Sequence, residues 1–187
     1  IQADDPRRVS EFESMGLLEI ITKLGIEEAK NSLPKSLRES QEAVAEAIEN
    51  NVRAKIIKEH LNDPTFFENM SVLLDEIIKE RKANAIKYEE YLKKIAAIAK
   101  QVQEGKTSNT PESLNTGAKV ALYHYFGGDE QKAIDIYECV IKNASAGWLG
   151  DSGKENLIKK AIYDILADFD ETQKVFEVIK AQSELIK

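Results

Sequence analysis

The chain has 187 residues, 42% of them apolar and 32% charged, with nine Gly, four Pro and a net charge of −7 from 26 basic and 33 acidic residues. That is a helical profile with enough length for a real core. The acidic balance excludes a polyphosphate-binding surface spread over the whole chain, so any nucleic-acid contact has to be a local basic patch. The single Cys139 excludes an internal disulfide and reads as a small core residue. No apolar run approaches the roughly 20 residues of a bilayer span, and no signal peptide is visible, so the expected compartment is cytoplasmic with no membrane partner. A start at Ile1 points to an excised fragment.

Residues 1–8, with Asp4-Asp5-Pro6-Arg7-Arg8, read as a mobile lead-in. A helix is expected after Ser10, which stands in capping-box order with Glu13, and it would bury Phe12, Met15, Leu18 and Ile21 before ending near Gly25. A short helical piece follows to Asn31, and Pro34 closes it. From Ser36 a long helix would carry Leu37, Val44, Ile48, Val52 and Ile56 to about Leu61. Asn62-Asp63-Pro64 is a turn and a helix start together, since Asp or Asn can cap and Pro is tolerated in the first helical turn.

From Pro64 to Gly105 the pattern predicts one unbroken helix, the spine of the fold. Met70, Leu74, Ile77, Tyr88, Tyr91, Ile95, Ile98 and Val102 recur at the three-four spacing of one helical stripe. Such a helix would be roughly 60 Å long. Arg81 and Asn84 interrupt the stripe, marking either a junction between packing neighbourhoods or a face turned to DNA or a partner. Beyond it, Thr110-Pro111-Glu112-Ser113 predicts a helix start, Gly127-Gly128 its stop, and Asp129 the cap of the next helix. Ala144 to Gly153 forms a loop around Trp148, a Ser152/Glu155 capping box opens a further helix, and a last one begins near Asp170. With no apolar-polar alternation, the expected fold is all-α: a bundle of about seven helices on one long helix over about 64–104. The expected domains are N-terminal helices over 9–62 and a C-terminal helical domain over 63–187.

Chemical signals are sparse. Gly105-Lys106-Thr107 is the tail of a phosphate-binding loop, but Lys100 stands where the first Gly is needed and a helix replaces the preceding strand. Asp75, Glu76 and Lys79 imitate part of a nuclease centre on one exposed helix face. His60 reads as a helix C-terminal cation, and His124 joins an aromatic packing surface with Tyr123, Tyr125 and Phe126. No catalytic, cofactor or metal residues are assigned. The candidates for a DNA or partner contact are Arg53, Lys55, Lys58, Lys79, Arg81 and Lys82, on two helices adjacent in sequence. Trp148 reads either as a partner anchor or as a plug at the end of a bundle.

Several strings point to a family. They are Glu49-Asn50-Asn51-Val52-Arg53 with Ile56-Ile57, Pro64-Thr65-Phe66-Phe67-Glu68-Asn69-Met70-Ser71 running into Leu74-Asp75, and Tyr88-Glu89-Glu90-Tyr91-Leu92-Lys93. Gly147-Trp148-Leu149-Gly150 and Lys159-Lys160-Ala161-Ile162 complete the set. Over roughly Gly16 to Ser183 the chain resembles the C-terminal region of the restriction subunit of type I restriction-modification enzymes. The resemblance implies a helical domain that joins the motor subunit to the methyltransferase and specificity subunits and lies beside double-stranded DNA. The family's nuclease and motor motifs are missing from these residues, so the expected fragment is not itself an enzyme. ATP and Mg are expected in other domains of a parent ATP-dependent deoxyribonuclease. The alternative is a helical interaction module of another multisubunit complex with no DNA role.

Overall fold

The computed structural model describes residues 15–186, and the expectations over 1–8, Ser10, Phe12 and Glu13 lie outside the described residues. Those residues form ten α-helices and a short 3-10 turn, with no strand among them, so the fold is all-α. In chain order the helices are α1 (Leu17–Leu24), α2 (Ile26–Ser32), α3 (Lys35–Arg38), α4 (Gln41–Glu59) and α5 (Pro64–Lys82). They continue as α6 (Tyr88–Glu104), α7 (Gly117–Tyr125), α8 (Glu130–Asn143), α9 (Ser152–Leu166) and α10 (Phe169–Lys180), before the 3-10 turn Ser183–Leu185. None is long and apolar enough to cross a membrane.

The expected single spine is two helices. α5 has 19 residues and α6 has 17, and residues 83–87 separate them. The cause is a helix stop built on Asn84, which takes the left-handed conformation at φ 52°. Ala85 N–H bonds the Glu80 carbonyl at 2.9 Å and Asn84 N–H bonds the Arg81 carbonyl at 3.0 Å, the paired reverse bonds that close a helix C-terminus. Asn is one of the few residues besides Gly that enters this region routinely. α6 then ends where the sequence placed its stop, at Gly105 (φ 66°), whose N–H caps the Gln101 carbonyl.

Three other starts move by a few residues. The long helix expected from Ser36 is a single turn, α3, then α4, because the Ser40 hydroxyl accepts from Ala43 N–H at 3.4 Å and resets the chain. The helix expected at Thr110 begins at Gly117, with Thr116 accepting from Lys119 N–H, while the Thr110 hydroxyl is bound to Thr107 N–H. At α9 the cap is Asp151, one residue early, and Glu155 reaches back to Gly150 N–H at 2.9 Å. Asp129 and Asp168 cap α8 and α10.

The described chain divides into two compact units, one of 15–58 with 69–105 and the other of 59–68 with 106–186. In the first, α1 packs on α2 and α6. Val44, Ile48, Val52 and Ile56 form a four-residue stripe on α4, and each is at most 4% exposed. Tyr91, Ile95, Ile98 and Val102 form the matching stripe on α6. Burying each such aliphatic side chain contributes about 1.5–3 kcal/mol. In the second unit α7 to α10 pack around Leu122, Ile136, Val140, Trp148, Ile158, Ile162, Phe176 and Ile179.

Candidate functional site

The first unit holds a buried polar cluster. Glu49 on α4 is 6% exposed, beside the apolar stripe. Arg81 on α5 donates to it through Nε at 2.9 Å and Nη2 at 3.3 Å, and also bonds the Glu42 carboxylate. Tyr91 on α6 adds its hydroxyl to Glu49 Oε1 at 2.9 Å, and the guanidinium lies 5.5 Å from the centre of the Tyr91 ring. Burial opposes the charge on Arg81, but the bonds to Glu49 and Glu42 outweigh it and raise its pKa. Burial first, then the Glu49 carboxylate, pushes the Tyr91 phenol far above its ordinary value. Both donors therefore keep their protons at neutral pH, and the Glu49, Arg81 and Tyr91 side chains tie together three helices.

The six basic candidates separate around this cluster. Arg81, with only 9% of its side chain exposed, is consumed internally and is not a surface cation. Arg53 pairs with Asp75 at 2.6 Å, the two side chains being 41% and 60% exposed. The Arg53–Asp75 and Glu49–Arg81 pairs run in opposite order along the two helices, so α4 and α5 are antiparallel. Lys58 then lies on one side of the Arg53–Asp75 rung and Lys79 and Lys82 on the other, all three exposed. Lys55 is half-buried, and with Lys58 it lines a shallow groove against Leu17, Leu18 and Asn51.

Trp148 is 0% exposed. Its indole N–H donates to the Leu185 carbonyl at 2.7 Å, and its ring meets Phe176 edge-on at 5.9 Å. Gly147, at φ 65°, makes the turn that drives it inward. It is the plug of the second unit, not an exposed anchor.

One pair was not legible in the sequence. His124 Nδ1 and Asp63 Oδ2 are 2.6 Å apart, although 61 positions separate them. Asp63 also accepts from Phe66 N–H, capping α5, while the His124 ring stacks on Phe66 at 4.9 Å. The cap was readable from Asn62-Asp63-Pro64, but no local signal chooses a partner so distant in sequence. An Asp that orients a His is half of a nucleophile-activating system. Here the other nitrogen, Nε2, is buried with no hydrogen-bond partner among the described residues, so no hydroxyl or thiol is bonded to it. Cys139 is held as a thiol, because burial first and then Asp164 raise its pKa. Among the described residues no three His, Cys, Asp or Glu side chains gather as a metal site.

No family model, curated protein or solved structure matches the chain.

Proposed function

We propose that this chain is a non-catalytic helical domain of a type I restriction enzyme motor subunit. It would join that subunit to the methyltransferase and specificity subunits and contribute an accessory contact to double-stranded DNA. The observation that carries the reading is how the strings of the resemblance are wired together. Glu49 and Arg53 come from the first string, Asp75 from the end of the second and Tyr91 from the third, and the Glu49–Tyr91 and Arg53–Asp75 bonds join them. Trp148, from the fourth string, and Ile162, from the fifth, are both 0% exposed. Strings spent on joints and plugs are what a scaffold requires, and nuclease cleavage, ATP hydrolysis and translocation belong to the remainder of the parent subunit.

The DNA contact in this reading rests on Lys58, Lys79 and Lys82, the exposed members of the basic set. Two measurements test the proposal. Deleting this region from the full-length subunit should abolish co-purification with the methyltransferase and specificity subunits while the motor keeps its ATPase fold. Retained assembly would refute the scaffold role. Charge reversal at the three lysines should weaken DNA binding by the assembled enzyme and flatten its salt dependence, because each phosphate contact releases counterions.

A second reading, an interaction module with no DNA role, draws on the net charge of −7 and on the internal use of Arg53 and Arg81. It is favoured if the lysine variants leave affinity and salt slope unchanged and the chain fails to bind the methyltransferase and specificity subunits.

A further inference from the structure

The second unit carries a groove between α9 and α10 that its own core does not fill. Asn156, Lys159, Lys160, Tyr163, Phe169 and Gln173 line it, and its volume is about 270 Å³. Phe169, the first residue of α10, is 67% exposed, and Tyr163 is 44% exposed. Phe176, on the same helix, is 1% exposed and belongs to the core, so the exposed ring of Phe169 adds nothing to that core. Tyr163 and Phe169 are thus two exposed aromatic side chains that line one groove.

The charge of the groove narrows the occupant. Its charged lining residues are Lys159 and Lys160, and no carboxylate lines it. Lys160 is 76% exposed, and its ammonium is 3.8 Å from Asp164 outside the groove. The Lys159 ammonium sits 4.6 Å from the centre of the Phe176 ring. The volume falls just below the roughly 300–1,000 Å³ of small-molecule pockets and suits one or two inserted side chains. Two lysines supply too few phosphate contacts to hold a nucleic acid strongly.

We propose that this groove docks a short acidic peptide segment of another protein, with one large apolar side chain inserted between Tyr163 and Phe169 and its flanking carboxylates against Lys159 and Lys160. The inference does not depend on the assembly reading, because it follows from the groove alone.

The test is a selection from a random-sequence peptide display library on the full 187-residue chain, counter-selected on Phe169→Ser. Enriched peptides should combine Asp or Glu with a Trp, Phe or Leu. Synthetic copies should lose roughly thirtyfold or more in affinity on Phe169→Ser, the loss expected for a central aromatic anchor. They should lose about threefold to tenfold on Lys159→Gln with Lys160→Gln, and should weaken with added salt. Circular dichroism and thermal unfolding of each variant confirm that the fold is retained. Failure to enrich any Phe169-dependent peptide overturns the proposal, and so does enrichment without acidic residues. Phe169-dependent binding of a labelled single-stranded oligonucleotide in place of the peptides would reassign the groove to nucleic acid. Phe169-dependent self-association in sedimentation would reassign it to a second copy of this chain.

Discussion

Tyr91 donates its hydroxyl proton to Glu49 Oε1 at 2.9 Å, the same carboxylate oxygen that Arg81 Nε bonds at 2.9 Å. Two donors from two helices meet one acid from a third, and the Glu49 and Arg81 side chains are 8% and 9% exposed. Removing one partner of such a buried pair leaves the other charge uncompensated, at a cost of about 3–5 kcal/mol. Arg81→Met should therefore lower the urea midpoint sharply. Arg81→Lys should recover little, because a single ammonium cannot reproduce the two-pronged contact. Replacing Glu49 and Arg81 together by apolar residues should cost less than Arg81→Met alone, and equal costs would show that the pairing is not the source.

Alkaline pH should find the same cluster. The Tyr91 phenol is raised far above its ordinary value of 10.0, and burial raises Tyr88 and Tyr125 in the same direction. Above about pH 10 the unfolded chain releases these protons while the native chain holds them, so stability falls as pH rises. The contribution is complete below that pH. Urea unfolding followed from about pH 9 to about pH 11 should show the fall, and Tyr91→Phe should reduce its slope.

Trp148→Ala should destabilise the protein by about 3–5 kcal/mol through the cavity it opens. Trp148→Phe keeps much of the packing but leaves the Leu185 carbonyl unpaired, for a cost of about 1–3 kcal/mol. Thermal unfolding distinguishes the two. A folded Trp148→Ala chain of unchanged stability would restore the anchor reading.

The helix stop at Asn84 offers a backbone test. Asn84→Ala places an ordinary side chain at φ 52° and should cost about 1 kcal/mol, while Asn84→Gly should be neutral or stabilising. Ala167, at φ 54°, already carries that strain, so Ala167→Gly should raise stability by up to about 1 kcal/mol. Denaturant midpoints measure both.

The all-α class was legible because three-four apolar spacing leaves no other regular structure for these segments. The buried stripe of Val44, Ile48, Val52 and Ile56 is the same stripe the spacing marks. The stops at Gly105 and Gly127-Gly128 and the Asp129 cap were legible for a similar reason, since each depends on neighbouring residues alone. The joint at Asn84 carried a local signal as well, but the apolar stripe resumes beyond it and outweighed a single Asn. The candidate site was much less readable. Arg53, Arg81 and Lys82 look alike in sequence, yet one is bonded to Asp75, one is enclosed with Glu49, and one is exposed.

What the sequence by itself determined is therefore local: helical class, the Asp129 cap, the stops at Gly105 and Gly127-Gly128, the apolar faces and the overall acidic charge. The tertiary structure decided which polar groups were spent on the fold. Glu49 meets Tyr91 across 42 positions and Asp63 meets His124 across 61, and no periodicity records a partner at that distance. It also decided that Trp148 closes a core while Phe169 remains outside one, because burial depends on which helices pack together and not on the side chain alone.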